Sequence, residues 1–339
     1  MPADPLVSLF MRTVPEMADE LVDEMLLSRA FLQESASHGD SLPVVRVLHL
    51  RNDTSLFLQE AGLDALPNRI GDRLAGTRRV RVVPATDPAA RTHTEGASRP
   101  PADDSPSDDL RPVSPNYVLY GGCSQVQGRD APAFLLSLTL ASLRTGCVVW
   151  TGERHFATSR PEPSASATPA AGAGTRGAHA DGLDLNLSDF RHLSEKMVDE
   201  MLESPILAAN LAAFQGGSAM IQIDPVRNRT YQMGLDLDVL VTLLRRRLFQ
   251  TARFRLAADS QIMQFVLRDS LSRSGQISAQ GSLNVADYTL HGSLSERREP
   301  GWRDYTLTMV LENRHTGEAD WRGETVIRKM VAVRDVGDR

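Results

Sequence analysis

Few residues in this 339-residue chain stand where chemistry would need them. The eight histidines (His38, His49, His93, His155, His179, His192, His291 and His315) include no close pair at metal-ligand spacing, and four lie in or beside linkers or turns. The sequence therefore predicts no metal site. It contains no Ser-centred nucleophile elbow and no P-loop. The run "GAGTRG" (172–177) has the glycines of a phosphate loop but sits in a polar stretch, not between a strand and a helix. One constellation is written twice. "TGCVVWTGE" (145–153) and "TGEADWRGE" (316–324) share Thr145/Thr316, Gly146/Gly317, Trp150/Trp321, Gly152/Gly323 and Glu153/Glu324. A carboxylate three residues beyond an indole, with a glycine between them, could be an acid–base group beside a stacking ring. The structural reading is a hairpin turn, a packed Trp and a solvated or salt-bridged Glu on an exposed edge. That reading is favoured, because Thr-Gly suits a short hairpin loop and the Trp falls well inside the following strand. A second cluster, Arg245, Arg246 and Arg247 with Arg253 and Arg255 nearby, is either a solvated helix face or a docking patch for an acidic partner. With no catalytic constellation, the chain is expected to be neither an enzyme nor a cofactor binder.

The repeated hairpin belongs to a larger repeat. "VDEML" occurs at 22–26 and 198–202, "LRNDT" (50–54) answers "VRNRT" (226–230), and "NYVLYGG" (116–122) answers "DYTLHGS" (287–293). The order is the same in both halves, so the chain reads as two copies of one domain. In copy two, Leu193, Met197, Val198, Met201 and Leu202 recur at helical spacing, capped by Ser194 or Asp189 and closed by Pro205. A strand at 218–226 ends in an Asn turn. A helix at 236–247 and a short strand at 252–257 follow. Three meander strands come last, at 286–296, 304–314 and 318–329. Ile262, Val266 and Leu267 add helical spacing to 257–286. Copy one has the polar stretch 84–115 there and is the more degenerate copy, having lost one or two helices. The fold class is α/β: two tandem domains, each a mixed sheet with a C-terminal antiparallel meander, flanked by helices.

The expected boundaries are a first domain at 1–156 with a disordered insertion at 84–115, a flexible linker at 157–182 and a second domain at 183–339. The linker is rich in Ala, Ser, Pro, Gly and Thr and too poor in apolar residues to offset its ordering entropy. As a coil it reaches roughly 25–30 Å. Cys123 and Cys147 fall on the first and third meander strands, about two strand spacings apart. That is beyond disulfide reach, so free thiols are expected. The net charge of −6 argues against broad nucleic-acid binding. The longest apolar run, "AFLLSLTLASL" (133–143), is too short for a membrane helix. Residues 1–20 show neither a signal-peptide pattern nor a lipid-attachment cysteine, so no membrane anchor is visible in this sequence.

"EKMVDEMLESP" (195–205), "VRNRT" (226–230), "ADYTLHGSLS" (286–295) and "TGEADW" (316–321) occur together and in this order. In this the chain resembles the LpoB family of outer-membrane lipoprotein activators of bifunctional penicillin-binding proteins. Copy two is the closer match, with Asn228, Thr230, Tyr288, Gly292, Thr316, Gly317 and Trp321 as signature residues. The resemblance implies a fold similar to the N-terminal domain of TolB and a periplasmic setting, with outer-membrane anchoring through a segment missing here. It also implies a non-catalytic role, in which the domain binds and stimulates a class A penicillin-binding protein. Two other readings use the same fold: an envelope assembly or secretion component of TolB or curli type, and a small-molecule-binding domain with a cleft in copy two.

Overall fold

The computed structural model describes residues 5–39, 41–54, 63, 65–83, 114–126, 133–157, 183–214, 218–232, 234–274 and 285–330. The expected linker and insertion lie outside them, apart from residues 157, 114 and 115. Copy one runs α1 (Pro5–Leu27), α2 (Arg29–Ala36), β1 (Val44–Val47), β2 (Arg51–Asp53), α3 (Leu66–Gly76) and β3 (Arg81–Val83). Its meander is β4 (Tyr117–Val126), β5 (Ala133–Ser142) and β6 (Val148–Ala157). Copy two runs α4 (Leu187–Leu202), α5 (Pro205–Ala213), β7 (Ala219–Ile223), β8 (Arg227–Arg229), α6 (Leu237–Thr251), β9 (Phe254–Leu256) and α7 (Ser260–Ser274). It closes with β10 (Tyr288–Glu299), β11 (Trp302–Asn313) and β12 (Ala319–Met330).

The two six-stranded sheets have one topology, β3-β1-β4-β5-β6 and β9-β7-β10-β11-β12, with β2 beside β4 and β8 beside β10. Each is mixed: β1 and β7 pair in parallel with both neighbours, and the meander strands pair antiparallel. The α/β class expected from the sequence, with its C-terminal meander in each copy, is the observed one.

Local chemistry moves two helix boundaries from their expected places. Helix α4 begins at Leu187 because Asn186 caps it: its Oδ1 accepts from the Ser188 and Asp189 amides, and Asp189 accepts from the Asn186 amide at 2.8 Å. Asp189 is thus the third residue of a capping box. Ser194 lies inside the helix, donating to the Arg191 carbonyl at 2.8 Å. Pro205 starts α5 rather than merely closing α4, with Ser204 as its N-cap. Helix α6 extends past Arg247 to Thr251 and ends at Ala252 in the left-handed region, φ 53°.

The sheets differ in what covers them. Each buries one face under its own helices, with Tyr117, Leu119, Phe134 and Leu136 under α1 and α3, and Tyr288, Leu290, Tyr305 and Leu307 under α4 and α6. The other face of sheet two is polar or solvent-facing: Thr289, His291, Thr306 and Thr308 are half-buried, and Arg322 and Glu324 exposed. At the places matching Thr289, His291 and Thr306 sheet one carries Val118, Tyr120 and Leu135, and at the place matching Glu312 it carries Ala141, all four buried. Val126, Ala133, Leu135 and Val148 join the core of copy two. Val118, Tyr120 and Ala141 pack on Ala258, Met263 and Val266 around α7. The result is a stack of copy-one helices, sheet one, copy-two helices and sheet two. A sheet enclosed on both faces loses its alternation, and β5 is buried at nine of its ten positions.

This asymmetry makes a direct prediction. Replacing Leu135 by Thr, the residue that copy two has at 306, is expected to destabilise the chain by about 1–3 kcal/mol through lost burial and an unpaired hydroxyl. The reverse change, Thr306→Leu on the open face, should fall within about 0.5 kcal/mol of wild type in chemical denaturation. Equal costs for the two changes would remove the asymmetry.

Candidate functional site

The twice-written motif is a packing device. Gly146 and Gly317 turn each hairpin at φ 67° and 73°, the left-handed region where glycine is at ease. Their amides donate to the Ser142 and Asn313 carbonyls at 2.9 and 2.7 Å. Trp150 and Trp321 are then buried on the helix-facing side, and the glycine two residues on lies beneath the indole. A Cβ on Gly152 would stand 2.4 Å from the Trp150 ring and 2.9 Å from Leu21. On Gly323 it would stand 2.2 Å from the Trp321 ring and 3.1 Å from the Met197 sulfur. The spacing Trp-x-Gly therefore gives a large ring room between strand and helix. Gly292 serves a comparable end, since a Cβ there would meet the Thr308 carbonyl at 2.2 Å.

Three other signature residues make contacts within the fold. Asn228 Oδ1 accepts from the Thr230 amide and hydroxyl at 2.9 and 2.8 Å, and Asn52 holds Thr54 in the same way at 3.1 and 2.7 Å. Both are Asx turns that release the chain from a strand. Tyr288 is fully buried, and burial pushes its phenol well above its ordinary value.

The repeated glutamate is where the copies part. Glu324 is exposed. Glu153, expected on an exposed edge, is instead buried under α6, where Arg246 donates to it and Arg191 stands 4.0 Å away. Arg191 also donates to His155 Nδ1 at 2.8 Å. Burial and then the Arg191 charge hold His155 below its ordinary value. Arg51 reaches Asp238 at 2.7 Å at the same interface. The basic run on α6 divides three ways: Arg246 to Glu153, Arg247 to Asp199 at 2.6 Å within copy two, and Arg245 into a cleft between the copies.

Cys123 and Cys147 are free, as expected, and both are buried. Cys123 pairs across the ladder with Leu136, whereas Cys147 lies just before β6 beside Ser142, at the other end of β5. Six residues of strand separate these levels, roughly 20 Å. Burial raises both thiols, Cys123 to about 12. Among the described residues no group of three or more His, Cys, Asp or Glu could hold a metal, and no helix is long and apolar enough to cross a membrane.

Copy two presents a surface that the sequence reading missed. Arg227 and Arg229 of β8 are exposed, and Tyr231 beside them is 69% exposed. The Arg298 guanidinium lies over the Tyr231 ring at 4.6 Å, and that of Arg328 over Trp302 at 4.4 Å. The sequence signal was Tyr231 immediately after the Asn-Arg-Thr turn: a large aromatic where the chain leaves a strand. The matching turn of copy one, at Arg51, faces copy two.

The family model described as peptidoglycan-synthase activator LpoB matches this chain twice, over residues 13–156 and 189–327. The chain belongs to the LpoB family. It carries two tandem LpoB units, and the family is one of peptidoglycan-synthase activators. No curated protein matches the chain. Among solved structures, the LpoB C-terminal domain from Salmonella enterica is 23% identical, covering 41% of this chain and 98% of that one at a TM-score of 0.27. The LpoB C-terminal domain from Escherichia coli is 25% identical, with the same coverage and score. Lipoprotein GNA1162 from Neisseria meningitidis is 14% identical, covering 33% of this chain and 83% of that one at 0.23. The double family match, not these likenesses, decides the assignment.

If the motif is a packing device, Gly152→Ala and Gly323→Ala should each cost about 1–3 kcal/mol through overpacking under the indole. Gly76→Ala, where nothing lies within 4 Å, should be neutral or slightly stabilising. Thermal unfolding of the three variants distinguishes this from a ligand-stacking Trp, for which all three would be tolerated alike.

Proposed function

We propose that this chain is a non-catalytic activator of peptidoglycan synthesis that acts in the periplasm by binding and stimulating a bifunctional, class A penicillin-binding protein. The observation that carries this reading is the double match to a family of synthase activators. The distribution of exposed groups supports copy two as the docking unit. Its Asn-Arg-Thr turn, Tyr231 and the Arg298 and Trp302 side chains form an aromatic and arginine surface, the composition that concentrates binding energy at protein interfaces. Of the sequence candidates Arg245, Arg246 and Arg247, the last two hold intramolecular carboxylates, which leaves Arg245 as the least committed.

The test is reconstitution with a class A synthase from the same organism, reading glycan polymerisation on a lipid-linked precursor. Adding the chain should raise the rate. Tyr231→Ala, at an exposed position, should leave the melting temperature unchanged and weaken binding about tenfold or more. Absence of binding and of any rate change with every such synthase of the host would overturn the proposal.

A further inference from the structure

The exposed Tyr231 rests on a hidden support. Glu296, on β10, presents no side-chain surface to solvent. Its Oε2 accepts from the Tyr231 amide at 3.0 Å. Its Oε1 accepts from Arg298 Nε at 2.5 Å, and Oε2 accepts from Arg298 Nη2 at 3.2 Å. The same guanidinium lies over the Tyr231 ring at 4.6 Å. Carboxylate to amide, carboxylate to guanidinium and guanidinium to ring thus close a circle around one residue. Arg303 stands 3.7 Å from the same carboxylate. Burial alone would raise the Glu296 carboxyl, but the Arg298 hydrogen bond, the Tyr231 amide and the Arg298 and Arg303 charges bring it below its ordinary value.

The turn itself is fastened next to the ring. Asn228 Nδ2 donates to the Gln232 carbonyl at 3.0 Å, and Thr230 Oγ1 accepts from the Gln232 amide at 3.1 Å. The Gln232 side chain donates to Asp184 at 2.5 Å and to the Tyr305 hydroxyl at 2.7 Å. Tyr231 is therefore held by its backbone while its ring stays in solvent, the reverse of a packed aromatic. Copy one has Ser55 and Gln125 at the matching positions, so neither the ring nor the carboxylate is repeated there.

We propose that Glu296 is a positioning residue for partner docking: it holds Tyr231 and Arg298 as one preformed unit that the partner meets already ordered. This deepens, and rests on, the reading of that surface as the synthase-docking site. Side chains ordered before contact give up less freedom on binding, so more of their contact energy appears as affinity. Glu296, withdrawn from solvent, acts through them rather than by touching the partner.

The experiment takes two readouts on the intact protein: amide hydrogen exchange at Tyr231 in the free chain, and affinity for the class A synthase. Glu296→Ala should speed exchange at Tyr231 at least tenfold and weaken binding about tenfold. Glu296→Gln keeps the shape and one acceptor and should fall between. The double variant with Tyr231→Ala should bind much as Tyr231→Ala does, because the two residues act as one unit. Glu324→Gln, which removes an exposed carboxylate from the open face of sheet two, should match wild type in both readouts. Unchanged exchange at Tyr231 in Glu296→Ala would overturn the proposal even where the wild-type chain binds the synthase. So would losses that multiply in the double variant. A wild-type chain that binds no synthase would instead sink the docking reading, and this role with it.

Discussion

A β-sheet with two apolar faces cannot stand with one of them in water. Sheet one has two such faces, and this constraint organises the molecule. Tyr117, Phe134 and Leu136 face their own helices, while Val118, Tyr120 and Leu135 face the other way and are equally buried. Each large apolar side chain taken fully out of water contributes about 1.5–3 kcal/mol. The copy-two helices supply that cover and are themselves enclosed between two sheets. Glu153 with Arg246 and Arg51 with Asp238 then fix the orientation that hydrophobic contact alone would leave loose. Once sheet one is committed inward, sheet two is the one that keeps a face open to solvent.

Much of the unit could be read from the sequence because its signals are local. Period-2 alternation at Tyr305, Leu307, Met309 and Leu311 locates β11, and the Asn-x-Thr turns make the hydrogen bonds that their chemistry predicts. The repeat itself gave the shared topology of the two sheets. The start of α4 was misplaced because a capping box depends on Asn186, outside the apolar period that marked the helix.

The contact between copies was harder to see, since it joins residues distant in the chain: 93 positions separate Glu153 from Arg246, and 139 separate Tyr120 from Asp259. A signal was nevertheless present. The run 133–143 breaks the alternation found in copy two, and near-continuous apolar strands are those covered on both faces. Weighed as a membrane span, and as a strand alternating at Phe134, Leu136, Leu138 and Leu140, it did not disclose the second face. Glu153 was misplaced for the same reason: an edge residue in one copy becomes a core residue once the other copy covers it. The exposed Tyr231 surface escaped because nothing in spacing separates a presented aromatic from a packed one.

Duplication has thus divided the labour between two units of one design. Copy one has turned its outer sheet face and its Asn turn inward, and copy two keeps both available. The central claim is that the two copies form one cooperative body, and differential scanning calorimetry of the intact chain tests it most directly. A single transition is predicted, with calorimetric and van't Hoff enthalpies in agreement. Two separate transitions, with the one belonging to copy two unmoved by Leu135→Thr in copy one, would contradict the account.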